Sequence, residues 1–290
     1  MNGGLGSKRA ADDSRWGAVE ILDLIPALST MAAERAIRTR ATAFAESGSV
    51  RTGGPIAAVL DIRRVHDALS VFSPDPEGVS VLDLLAATEQ GTLELNDEAI
   101  LDLASAVVRA VAWLHERPGS LAHGALSPAH VVLGREGVIT MTDAVFATAL
   151  QTLPWNRERF WRECGLILPA AATPPQFDQR ADVVEMGGVV LAILLRRPLR
   201  VDEYTAIPEL VMEATARGPM ASVLRVWLQQ TLHLHPKLTF ASAVEAWAML
   251  AALNDPARPL ARSRSVLRQV ISGRTGSSPV ASSDLRRPRH

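Results

Sequence analysis

Lysine is almost missing from this chain. Of 30 basic residues in 290, only Lys8 and Lys237 are lysines, so arginine carries nearly all the positive charge. Cysteine is as scarce. Cys164 stands alone, which excludes an internal disulfide framework and fits a reducing compartment. Long apolar runs are absent too. The longest clean one, GGVVLAILL at 187–195, is too short to span a bilayer and reads as a buried core helix. The amino end, MNGGLGSKRAADDSRW, lacks the apolar stretch of a secretion signal. A formal net charge of -1 offers no overall field to draw nucleic acid or an acidic membrane. These absences predict a cytoplasmic protein with no nucleic-acid and no membrane partner. What is plentiful is apolar side chain, 48% of the chain, enough for one large domain or two lobes.

The pattern along the chain changes character near residues 74–79. Residues 1–14 show no periodicity and read as a disordered tail. WGAVEILDLI (16–25) reads as a strand or the run-in to a helix. The segment 28–47 is strongly helical, with Ser29 as N-cap and Gly48 as the stop. Strands are expected at 55–65 and 68–73, joined by a turn at His66-Asp67. After the linker PDPEG, a short helix (79–87) precedes a long amphipathic one (96–119). Asn96 caps the long helix, and Ile100, Leu103, Val107, Val111 and Leu114 mark its buried face. Two short strands follow at 130–134 and 138–143, then an irregular stretch, then an apolar helix at 181–197 and three more helices. The expected division is a tail (1–14), a small part with strands (15–78), a larger helical part (79–254) and a disordered basic tail (255–290).

The segment LAHGALSPAHVVLGREGVITMTDAVFA (121–147) resembles the catalytic loop of protein kinases, H-x-D-L-x-P-x-N followed by a turn and T-D-F-G. The frame is His123, Gly124, Ala125, Leu126, Ser127, Pro128, Ala129 and His130, then Thr142-Asp143-Ala144-Val145. FDQRADVVEMGGVVLAILLRRPL is similar to a later kinase helix, with Asp182 at the family's anchoring aspartate. Order and spacing of the two motifs agree, and the resemblance covers roughly residues 54–252. It implies an α+β kinase-like fold with a reduced N-terminal lobe and a larger, mainly helical C-terminal lobe. The arginine-rich, lysine-poor composition suggests a bacterial member.

The same resemblance implies a degenerate, pseudokinase-like member. The residue that accepts the substrate proton is Ala125, and the asparagine that holds a second magnesium is His130. Asp143 survives, but the Phe and Gly after it are Ala144 and Val145. A phosphate-gripping lysine is expected in an early strand, and no lysine lies between Lys8 and Lys237. The family's structural ion pair is missing at both ends, near Pro174–Gln176 and near Thr239. His123 and Asp182 are expected to hold the loop in place. The expectation is a catalytically inactive signalling scaffold with protein partners, no resident cofactor and no enzyme activity. ATP and magnesium are retained only as a second reading, through Asp143 as cofactor and metal residue. An active phosphotransferase with a relocated base such as His130 ranks last. His123, His130 and Asp143 together also allow a two-histidine, one-carboxylate metal site. The stretch LPWNRERFWREC offers Trp155, Arg157, Phe160 and Trp161 either as partner anchors or as a short helix folded on its own lobe.

Overall fold

The computed structural model describes residues 4–48, 54–170, 174–216, 221–235, 237–252 and 260–275. The chain opens with a hairpin, β1 (Gly6–Asp13) and β2 (Gly17–Leu24). Asp13 makes the turn: its side chain accepts the Arg15 N–H at 2.9 Å, and Gly17 follows at φ +74°. The amino-terminal tail expected over 1–14 is therefore corrected, since most of it is a strand. β1 escaped notice because it is an edge strand whose side chains are mostly exposed, so its sequence does not alternate.

Helix α1 (Met31–Glu46) follows, capped by Thr30, whose side chain accepts from the Ala33 N–H at 3.1 Å. The cap sits one residue after Ser29. The Ser29 hydroxyl instead bonds the Ile25 carbonyl and receives the Leu69 N–H at 3.3 Å. Strands β3 (Asp61–Val65) and β4 (Ala68–Pro74) complete an antiparallel sheet of order β1-β2-β4-β3. Its inner face, with Leu22, Leu24, Ile62 and Val71, joins the same core as Ile37 and Phe44 of α1. The outer face carries a small cluster of Val19, Ile21 and Phe72, and Arg63 stacks 4.3 Å from the Phe72 ring.

Beyond the linker lies the helical part. A second sheet of order β5-β6-β7 joins β5 (Gly78–Ser80), β6 (Val131–Gly134) and β7 (Ile139–Met141). Ser80 caps α2 (Val81–Glu89), and Asn96 caps α3 (Asp97–His115), as its sequence predicts. Short α4 (Ala147–Leu150) and α5 (Arg157–Cys164) occupy the irregular stretch. Asp178 caps α6 (Gln179–Leu195) by accepting two backbone N–H groups at 3.0 Å each. α7 (Ile207–Ala214), α8 (Ala221–Thr231) and α9 (Ala243–Ala251) surround it, and α3 packs against both α6 and α9.

The expected carboxy-terminal tail is corrected in part. Residues 260–275 form α10 (Leu260–Thr275), which lies against α3. Leu267 and Ile271, one turn apart, are its buried contacts, and full burial of such a side chain contributes about 1.5–3 kcal/mol. Arg268 pairs with Glu136 at the β6–β7 turn. Residues 255–259 and 276–290 of that expected tail lie outside the described residues.

Candidate functional site

The loop between α3 and β6 is held from below by one carboxylate. Asp182, in the first turn of α6, is fully buried. Its Oδ2 accepts the His115 ring N–H at 2.9 Å and the His123 backbone N–H at 2.6 Å, and its Oδ1 accepts the Gly124 backbone N–H at 2.6 Å. Three donors satisfy a charge that would otherwise be costly to bury. His115 in turn accepts the Ala243 N–H through Nδ1 at 3.0 Å, which ties α9 to the same anchor. His123 is equally committed. Its Nε2–H donates to the Thr142 carbonyl at 2.8 Å, and Nδ1 accepts the Ala125 N–H at 3.3 Å. Burial pushes its pKa down to about 4, so the ring is neutral. His123 and Asp182, the two residues expected to hold the loop, are both bonded to its backbone.

Gly124 shows why the loop lies so close to the lobe. Its φ is +70°, and a Cβ there would sit 2.3 Å from the Ala147 Cβ on α4. Only glycine fits this conformation and this approach.

After Gly124 the loop carries the methyl side chain of Ala125. Ala125 is fully buried, and its backbone serves the loop. His130 ends a 3-10 turn (Pro128–His130), and its Nδ1 donates to the Ala125 carbonyl at 2.5 Å. Its Nε2 lies 3.7 Å from Asp143 Oδ2, beyond a hydrogen bond. Burial pushes the ring's pKa down, more than Asp143 pushes it up. Ala144 and Val145 are buried apolar residues.

Asp143 is where sequence reasoning falls short. Its φ is +65°, and its carboxylate is buried. Lys8 reaches it from β1: Nζ lies 2.8 Å from Asp143 Oδ2 and 2.8 Å from Glu20 Oε1 on β2. The Thr142 hydroxyl adds a bond to Asp143 at 3.1 Å. Burial alone would push the Asp143 carboxyl up, but Lys8 and His130 outweigh it and hold it below its ordinary range. Burial likewise opposes the Lys8 charge, and Asp143 and Glu20 raise its pKa past that effect. A lysine does stand beside Asp143, and it comes from the segment expected to be a tail. The spacing of Lys8 and Glu20 across a glycine-flanked hairpin was the available signal.

The three-residue metal site is also corrected. Among the described residues no group of three His, Cys, Asp or Glu side chains is placed to hold a metal ion. Both ring nitrogens of His123 are already bonded. For magnesium, the site supplies the Asp143 carboxylate alone, with one oxygen on Lys8, where an octahedral ion needs several oxygen ligands.

A second link went unseen in the sequence. Arg40 projects from α1, and its guanidinium donates to the Ala144 carbonyl at 3.2 Å and to the Ala122 carbonyl. It fastens the small lobe's helix to both ends of the loop frame. Burial lowers its pKa, and Asp182 partly offsets this. Nothing in the local sequence marks this arginine among its neighbours.

The aromatic anchors are turned inward. Trp155, Phe160 and Trp161 are buried, and Phe160 meets the Phe177 ring edge-on at 5.0 Å. The Trp161 indole N–H donates to the Val201 carbonyl at 2.7 Å, and Arg157 donates to the Pro169 carbonyl at 3.0 Å. The proposed partner surface at these four residues is corrected to the short helix α5 packed on its own lobe. Cys164 is buried as well, and burial pushes its thiol up to about 12.

No protein-family profile and no curated protein matches this sequence. Solved structures do. The chain is similar to the Mycobacterium tuberculosis PknI kinase domain, with a TM-score of 0.57 and 18% identity over 86% of this chain and 90% of that one. A second structure of the same domain gives a TM-score of 0.55 and 20% identity over 86% and 92%. At this identity the likeness shows the fold alone. The chain has a protein kinase-like fold, with a small sheet-bearing lobe and a larger helical lobe.

Proposed function

We propose that this chain is a kinase-fold domain that does not transfer phosphate and acts as a scaffold or regulatory interaction module. Ala125 carries the reading. It occupies the loop position of the general base, and the ring of nearby His130 is engaged with the loop's own Ala125 carbonyl. Loss of a general base costs about 10²–10⁴ in rate. On this reading the domain works in the cytoplasm on protein partners, and the loop frame is kept for its shape. The test is incubation of the full chain with labelled ATP, magnesium and generic protein substrates, beside a Lys8→Met preparation. Equal background in both is expected. Label transfer that disappears in Lys8→Met would overturn the reading.

A second reading, a nucleotide-binding sensor, is favoured by one observation: the Lys8–Asp143 pair at 2.8 Å keeps a cation facing the surviving cleft carboxylate. Millimolar ATP with magnesium should then raise the unfolding temperature. Ligand at about 100 times its Kd adds roughly 2.7 kcal/mol.

A further inference from the structure

A cavity of about 140 Å³ opens in the large lobe, apart from the Lys8–Asp143 cleft. Its walls come from the loop, α5, α6 and the segment after α6, and are mainly apolar: Leu126, Trp161, Ile167, Val189 and Leu199. One wall residue is out of keeping. Glu185, on α6, is 2% exposed. One of its oxygens accepts the Leu126 backbone N–H at 2.7 Å, while Oε1 is buried with no hydrogen-bond partner among the described residues. A buried polar atom left without a partner is costly, and native proteins seldom keep one without a use.

The other charged groups lining the cavity do not answer this carboxylate. Arg162 and Glu163 lie 3.7 Å from each other and offset one another's charge. Asp182 is nearby but saturated by its three donors. Burial, with Asp182 adding to it, pushes the Glu185 carboxyl well above its ordinary range, which a neighbouring cation would relieve. Among the described residues no cationic donor, Arg162 included, bonds Glu185 Oε1. The volume limits the rest of the ligand, because a cavity of roughly 150 Å³ holds about one benzene ring.

We propose that this cavity binds a small primary amine with an apolar body of about one ring, its ammonium donating to Glu185 Oε1. The site shares no residue with the Lys8–Asp143 cleft, so it stands whether or not the domain binds nucleotide or transfers phosphate. The probes are phenethylamine and its neutral counterpart 2-phenylethanol, titrated calorimetrically into the full chain. The amine should bind saturably, and the alcohol at least about tenfold more weakly, because charge-assisted hydrogen bonds are worth more than neutral ones. Glu185→Gln should weaken the amine by at least about tenfold. Leu199→Trp, which fills the cavity without touching a polar group, should abolish binding and decides the matter if Glu185→Gln does not fold. Equal affinity for amine and alcohol, no amine binding, or binding indifferent to the variants would each overturn the proposal. Tighter binding of N-acetyl-lysine methylamide than of phenethylamine would also overturn it, by assigning the site to a partner protein's lysine.

Discussion

Replacing Asp182 with asparagine tests the anchor under the loop. The change keeps size and shape but turns one carboxylate oxygen into a donor. In the protein, Oδ2 receives two donors and Oδ1 receives one. If the asparagine oxygen faces the pair, its NH₂ meets the Gly124 N–H. If it faces Gly124, the NH₂ meets both the His123 N–H and the His115 ring. His115 cannot escape by switching tautomer, because its Nδ1 already accepts the Ala243 N–H. At least one charge-assisted bond is lost, about 1.5–3 kcal/mol, and one buried donor is left facing another, about 1–3 kcal/mol more. The sum is about 2.5–6 kcal/mol. For a chain of this size each kcal/mol moves the midpoint by about 2–4 °C, so thermal unfolding should fall by roughly 5–24 °C. Urea unfolding gives the same comparison independently. A loss below about 1 kcal/mol by either method would refute the view that these three bonds carry the loop.

Lys8→Met should cost about 3 kcal/mol in urea unfolding, the low end for breaking a buried pair, since the Lys8 side chain is 30% exposed; it should also remove any stabilisation by ATP. Gly124→Ala should destabilise by at least about 2 kcal/mol, through a positive φ and a clash with Ala147, and a neutral result in thermal melts would contradict the close packing described. The His123 ring should stay neutral until about pH 4, read by residue-resolved NMR titration, and a midpoint near 6.5 would refute its burial. Its folded pKa lies below its unfolded one, so its contribution to stability is present above pH 6.5 and is lost as pH falls toward 4. Glu185 is shifted upward and contributes with the opposite sign, so the single-residue titration isolates the histidine better than a global melt. Arg40→Met should speed hydrogen exchange in both α1 and the loop at 122–125, because one guanidinium joins them. An effect confined to α1 would show that the link carries nothing.

The large lobe was the more legible part. The loop frame and the helix bearing Asp182 are encoded by contiguous motifs, and α3 by its cap and a 3.6-residue period. Roles for His123 and Asp182 were implied by the resemblance of their two motifs to the kinase family. The small lobe hid its main contribution. β1 is an edge strand with polar residues on both faces, so it lacks the alternation that marks a half-buried strand, and Lys8 looked like part of a loose end. Arg40 and Ala144 are 104 residues apart, and no local pattern connects them. Composition misled at α5, where arginine beside tryptophan suggested a contact surface. The aromatic rings fill the lobe's interior, and Arg159 stacks 4.6 Å from the Trp155 ring.

The placement of Lys8 has a practical consequence. The cation beside Asp143 comes from the outermost strand, which among the described residues is paired on one side only. Edge strands fray before central ones. Anything that peels β1 away, such as a protease, a strand offered by another protein, or an affinity tag fused to the first residues, would withdraw the cleft's positive charge while leaving the helical lobe folded. Recombinant versions of this domain should carry their tags elsewhere, and a preparation trimmed by a dozen residues should be treated as electrostatically a different molecule.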